Sequence, residues 1–463
     1  MRTQTSRSDN RRHDRAAKKL KSGGRIAAPK LQAVRFQLDC GATLLVDQRL
    51  GAPVTAIKLH LKGGHSLDKA GLEGTASLTG RLLDQGTQSH SEEEIAAMLE
   101  PQGGGLQGDA NGVSGSIAGG AWKLLLGAIC EVICEPSFPA DKFARHKGRL
   151  LDRLLVERDD PRSQTGQLFR KLIYGDHWMG QTVYGSLESV ERIQRKHLVA
   201  FHAKNWCPTR AVIAVCGDVD PEEVRKLFNR KLRTWKPKAK LSRPSLSFPD
   251  RAPRFDVFAA DRQQVHVYFG HLGVCRDDPN YTALVVMDHI LGTGPGFSNR
   301  ISQKLRDQMG LAYTVHADIH SSAGAFPGMF TAYIGTSPQH LELALRGFIE
   351  EMHRICDELV LESELELAQN YLLGSYALGF ERAARRSNYM ISAERFGLPA
   401  DHLSRLPDKF AAVTAEDIRS AARACLFPAQ PCLVVGGPIK KSEVKSLFSK
   451  LLAGESKRRK SAN

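Results

Sequence analysis

Short apolar runs and longer amphipathic ones alternate along this chain of 463 residues. Val54 to Leu61, Ala211 to Cys216 and Val265 to Phe269 have the length and β-branched content of strands. Leu341 to Cys356 and Glu364 to Phe396 instead bring apolar residues back at helical spacing, which predicts two long helices. On pattern alone the mixture predicts an α+β or α/β protein. A repeat divides it: Pro208 to Phe228 recurs at a constant offset as Pro428 to Phe448. Gly217, Glu223-Val224 and Leu227-Phe228 are echoed by Gly437, Glu443-Val444 and Leu447-Phe448, each set following a β-branched run, Val212 to Val215 or Leu433 to Val435. Two related halves of about 200 residues follow. The stretch from Lys236 to Pro253, punctuated by Pro237, Pro244 and Pro249 and basic at its start, reads as an exposed connector.

A hydrophobic content of 42% supplies two cores. The formal charge of +15 suggests a nucleic-acid binder until the charges are placed. Residues 1–35 contribute +9 and residues 450–463 contribute +4, leaving about +2 for everything between. A groove for nucleic acid needs its charge on folded surface with aromatic platforms, so solubilising polar arms are expected at both ends and no specific nucleic-acid partner. The start lacks the apolar core of a signal peptide and carries Asp9 and Asp14, unlike a mitochondrial presequence. No run approaches the length of a membrane span. Nine scattered cysteines suit reduced thiols, and Cys130 and Cys134, one helical turn apart, suit core packing. A cytoplasmic location is expected, with the mitochondrial matrix as the alternative.

A series of landmarks is more specific. Gly63 to Thr87 reads GGHSLDKAGLEGTASLTGRLLDQGT; Asp159-Asp160-Pro161 is followed by Tyr174-Gly175-Asp176-His177 and by Tyr184-Gly185-Ser186-Leu187-Glu188; Asn205-Trp206-Cys207-Pro208 precedes Gly217-Asp218. Later come Phe297-Ser298-Asn299-Arg300-Ile301 and Leu305-Arg306-Asp307-Gln308-Met309-Gly310-Leu311-Ala312-Tyr313. In this order and spacing the chain resembles the insulinase, pitrilysin and mitochondrial processing peptidase family of zinc metallopeptidases. The resemblance implies an α+β fold of two homologous domains, each an antiparallel-rich sheet packed with helices, closing as a clam-shell. It sets an N-terminal domain at 34–235 and a C-terminal one at 254–453, joined by a linker at 236–253 and flanked by a basic arm at 1–33 and a basic tail at 454–463.

The family's zinc helix bears H-x-x-E-H. Registering Gly86-Thr87 on the Gly-Thr that follows that motif puts Ser77, Gly80 and Arg81 at the His, Glu and His positions. Zinc needs imidazole or carboxylate donors with a carboxylate base beside the bound water, and these three supply none. The family's third ligand, a downstream glutamate, falls near Arg153, with Asp152 adjacent, or nearer Glu157, depending on the anchor. His60 and His65 lie on or just after the first long strand and do not rebuild a ligand pair. The glycine-rich stretch Gly103 to Gly120 lacks the Gly-Lys-Ser/Thr that closes a phosphate loop, and is either an edge where a peptide backbone can approach or a loose sheet margin. Arg306 and Tyr313 keep the family's substrate-holding signature: a guanidinium and a phenol that orient a peptide and stabilise a developing oxyanion.

Ligands lost and Arg/Tyr kept is the combination that certain heteromeric members of the family show. The resemblance therefore implies a non-catalytic subunit, with no cofactor of its own, that supplies Arg306 and Tyr313 to a homologous partner carrying H-x-x-E-H and zinc, acting on peptide or unfolded polypeptide. The alternatives are a non-enzymatic assembly protein on the same fold, and an active zinc metalloendopeptidase with ligands not recognised here.

Overall fold

A computed structural model describes residues 30–236, 247–294 and 298–462. Most of the basic arm, the middle of the connector, and Phe297 with the two residues before it lie outside the described residues.

Six strands, β1 (Val34–Gln37), β2 (Thr43–Gln48), β3 (Val54–Leu61), β4 (Gly105–Asp109), β5 (Gly112–Ala118) and β6 (Ala211–Gly217), form one sheet in the order β1-β2-β6-β3-β5-β4. Five more, β7 (Arg254–Ala259), β8 (Val265–Leu272), β9 (Val315–Asp318), β10 (Met329–Thr336) and β11 (Cys432–Gly437), form a second in the order β7-β11-β8-β10-β9. Apart from β1 the two orders are the same, strand for strand, and each sheet holds a single parallel pair, β2 with β6 and β7 with β11. The expected α+β class with two homologous, antiparallel-rich sheets is thus what the chain adopts. β6 is buried at every position, as its unbroken apolar run requires of a strand covered on both faces. Each sheet has its own core, around Ile57, Ile213 and Val215 in the first and around Phe269, Phe330 and Val435 in the second.

The helices that matter for the site are α1 (Thr75–Arg81), α2 (Ala140–Asp159), α3 (Pro161–Tyr174), α4 (Pro221–Lys231), α5 (Leu341–Asp357), α6 (Glu362–Gly379), α7 (Ala383–Phe396) and α8 (Lys441–Ala462). α3 and α4 begin alike, with an aspartate whose side chain accepts from the first-turn amides and a proline at the first helical position. β6 with α4, and β11 with α8, are the two copies of the sequence repeat.

Each sheet takes a helix from the other half of the chain. Phe169, Ile173 and Tyr174 of α3 pack on Cys432 and Val434 of the second sheet, with Tyr268 and Leu272 alongside. Met390 and Ile391 of α7 pack on Leu45, Val212, Ala214 and Cys216 of the first. A buried ion pair secures the second contact: Arg386 Nε donates to Asp47 Oδ2 at 2.6 Å, and its terminal nitrogen donates to the Lys30 carbonyl at 2.6 Å.

Two expectations change. The single helix over Glu364 to Phe396 is two, because Phe380, only 1% exposed, turns inward between Tyr376 and Tyr389, and the chain restarts as α7 on the other sheet. The basic tail from residue 454 is not a free arm: α8 continues to Ala462, held on α5 by His353 donating to Glu455 at 2.8 Å and by an Arg458–Asp357 pair. Among the described residues no helix is long and apolar enough to cross a membrane.

Candidate functional site

α1 is set in place from both ends. The backbone amides of Gly74 and Ala76 each donate to the Asp68 carboxylate at 2.8 Å, satisfying first-turn donors that have no partner within the helix. Thr75 to Gly80 are buried, and Arg81 emerges at the end. Gly80 lies directly against β4. A Cβ there would stand 1.9 Å from the Asp109 carbonyl oxygen, and one on Gly108 would stand 2.0 Å from the carbonyl oxygen of Gly80. The two glycines let helix and strand touch backbone to backbone.

A cleft of about 440 Å³ opens beside this contact, lined by Ser77 and Arg81 from α1, Asp84 and Gln85 after it, Gln107 to Asn111 from β4 and its turn, His146 from α2, and Val183 and Tyr184. Tyr184 joins the expected positions. The Arg81 guanidinium carbon lies 5.6 Å from the centre of its ring and that of Arg153 lies 3.9 Å from it. Arg153 also donates from Nε to Glu157 at 2.7 Å. Arg81 makes no hydrogen bond or ion pair among the described residues. Gln85 Oε1 accepts from His146 Nε2 and from Arg145, both at 2.8 Å. Burial lowers the His146 pKa, and the nearby charges of Arg145, Arg149 and Arg81 lower it further against Glu92, so the ring is neutral near pH 7.

Ser77 and Arg81 line this cleft, Gly80 packs on its Gly108–Asp109 wall, and Arg153 reaches it only through the Tyr184 ring. The residues present do not fit zinc. Two arginines, a serine hydroxyl and a glycine offer a cation repulsion and no imidazole or carboxylate set, and no group of three or more His, Cys, Asp or Glu among the described residues is arranged to hold a metal. His60 and His65 sit elsewhere: His60 is buried in β3, its pKa lowered to about 3 by burial and by Arg395, Lys58 and Lys62, and His65 packs edge-on against Trp178. Gly108, Gly112 and Gly115 sit where a Cβ would enter Gly80, Leu59, or Gly105 and Leu125, so they permit close packing.

Arg306 lies on a π-helical turn, Ser302–Gln308, and its Nε donates to Asp307 at 2.8 Å. Gly310, with φ +62°, ends that turn, and Tyr313 follows in the loop before β9, 95% exposed. The neighbouring signature residue Arg300 is buried in a two-pronged pair with Glu364, both bonds 2.7 Å. The unanticipated participants are Tyr184, His146, Gln85, Asp84 and the Gln107–Asn111 turn. Tyr184 belonged to a recognised landmark but carried no assigned role, since only the fold brings its ring to two arginines.

The family described as the peptidase M16 inactive domain matches residues 192–372, a span that begins after α1. An uncharacterized zinc protease of Streptomyces coelicolor is 26% identical over 392 residues, covering 81% of this chain and 83% of its own length. The non-peptidase homolog YmxG of Helicobacter pylori is 24% identical over 380 residues, covering 80% and 86%. Among solved structures, a peptidase M16 inactive domain from Pseudomonas fluorescens superposes with a TM-score of 0.80 at 24% identity, over 89% of this chain and 99% of that one. Over most of its length the chain is thus similar to insulinase-like M16 peptidases and their inactive homologues, and it lacks H-x-x-E-H.

Proposed function

We propose that this chain is the non-catalytic subunit of a heteromeric insulinase-like metallopeptidase of the cytoplasm, pairing with a zinc-bearing relative and presenting Arg306 and Tyr313 to a peptide or unfolded polypeptide. The observation that carries the reading is Gly80 at the position of the catalytic base. The space a glutamate side chain needs is filled by the backbone of β4, so the site is closed as well as stripped of ligands. Tyr313, 95% exposed on its loop, is free to meet a substrate held outside this chain.

Capture from native lysate, with metal analysis of each component, tests the pairing. The chain itself should carry no stoichiometric zinc, and a relative bearing H-x-x-E-H should accompany it. In that complex Tyr313→Phe should leave assembly and melting unchanged while turnover falls about 10²- to 10³-fold, the usual effect of losing one preorganised donor to an oxyanion. Turnover unchanged in a correctly assembled complex leaves the assembly-protein reading in front, and chelator-sensitive cleavage by the chain alone would revive the third.

A further inference from the structure

One side of α6 is apolar and turned outward. Leu367, Tyr371 and Leu378 follow one another at spacings of four and seven residues, which brings them to the same side of the helix, and they are 47%, 40% and 76% exposed. Another side of the helix buries Ala368 and Leu372. Tyr371 rests its ring on His289, 5.6 Å between centres, so the row is held in place. Large apolar side chains fixed in a row on a folded surface mark a contact.

The chain's own start is delivered to the end of that row. Leu31 and Ala33 pack with Ala383, Met390 and Ile391 of α7. One guanidinium, that of Arg386, donates both to the Lys30 carbonyl, at 2.6 Å, and to the carbonyl of Phe380, which closes α6, at 3.4 Å. Residues 1–29, which lie outside the described residues, therefore begin beside the C-terminal end of α6. Charge gives them a direction, since they hold nine Lys/Arg against two Asp. Arg382 and Arg385, exposed at the start of α7, repel such a segment, whereas α6 carries Glu362 and Glu366 and its C-terminal carbonyls favour cations. The lengths agree: Leu367 and Leu378 are about 17 Å apart along the helix axis, and Leu20 and Ile26, the segment's two large aliphatic side chains, can stand up to about 20 Å apart. We propose that the basic N-terminal segment occupies this row, with Ile26 against Leu378 and Leu20 toward Leu367. The chain thereby covers its own apolar face, and any partner that needs that face must first displace the segment.

The inference is independent of the subunit reading, because it is measured on the full chain by itself. With p-benzoylphenylalanine in place of Tyr371, illumination of dilute protein should link position 371 to residues 15–29 of the same molecule. The same group in place of Val199, 42% exposed on the helix Arg195–Asn205 of the first half, should not reach them. Trypsin supplies a second measure, at Lys18, Lys19, Lys21 and Arg25. Each site should be cut about tenfold or more slowly in the chain than in a synthetic peptide of residues 15–30, the scale of burying one aliphatic side chain. Leu20→Ser with Ile26→Ser, compared with its own peptide, should abolish that protection. Links between two molecules would give the row to a second copy of the chain and overturn the assignment, as would links to no residue of the segment, native cleavage as fast as in the free peptide, or protection that survives the double substitution.

Discussion

Replacing Gly80 by alanine inverts a familiar rule. Within a helix, exchanging glycine for alanine ordinarily stabilises by about 0.5–1 kcal/mol, because the unfolded chain loses freedom. At Gly80 the new Cβ would lie 1.9 Å from the Asp109 oxygen, 2.3 Å from its carbonyl carbon and 2.9 Å from its Cα. All three are backbone atoms of a strand already bonded to β5, so none can rotate away, and α1 must lift off β4 by more than an ångström. Overpacking of that kind costs about 1–3 kcal/mol, enough to cancel the helical gain and leave a net loss. Gly127, in the helix Trp122–Cys134, and Gly148, in α2, have nothing within 4 Å of a built Cβ and serve as controls. Denaturant titration of the full chain should show Gly127→Ala and Gly148→Ala unchanged or stabilised and Gly80→Ala destabilised. The same geometry predicts that Ser77→His, Gly80→Glu and Arg81→His together do not yield a zinc peptidase, since the glutamate has no room. Stabilisation by Gly80→Ala comparable to the controls, or one tightly bound zinc with chelator-sensitive cleavage in the triple variant, refutes the reasoning.

Removing Arg386 leaves Asp47, 2% exposed, as an unpaired buried charge, and Arg386→Ala should cost about 3–5 kcal/mol, whereas Arg386→Met with Asp47→Leu should recover most of it; equal losses in denaturant titrations of the two would sink the pairing. Burial alone would lower the His320 pKa, but the hydrogen bond and charge of Asp288, 2.5 Å away and fully buried, raise it overall with help from Asp318. That contribution is complete below the ordinary value of 6.5 and is lost as pH rises through the raised one, so melting temperature should fall as pH rises above 6.5 in the native chain and stay flatter in His320→Gln. Parallel pH profiles would show that the pair is not coupled to folding.

The strands and their doubling were legible because their signals are local. Val54 to Leu61 matches β3 residue for residue, and the offset from Pro208 to Pro428 carried enough identical residues to announce two sheets of one topology. What could not be read is which sheet a helix covers. α3 declares a buried face through Phe169, Ile173 and Tyr174, yet nothing in that spacing distinguishes the second sheet from the first. The break at Phe380 was hidden for a related reason, since the apolar period carries across it and only the packing of three aromatic rings sets the turn. At the site, residue identities alone showed that zinc donors are missing. They could not show that Gly80 has been pressed against β4, or that the Tyr184 ring meets both Arg81 and Arg153, because both depend on a strand and a loop placed by the rest of the fold.

The exchange of α3 and α7 sets an order of events during synthesis. The last strand of the first sheet is made by residue 217, but the helix that covers its second face ends only at residue 396. At about 5–20 residues per second that interval lasts roughly 10–35 s. Throughout it Leu45, Val212 and Ala214 are without their cover and Asp47 without its arginine, while α3 waits for a sheet not yet made. The nascent first half is therefore an incomplete folding unit, with an apolar face bare until the far half arrives. A cut in the connector would make that state permanent, so the two pieces should gain their structure only when supplied together.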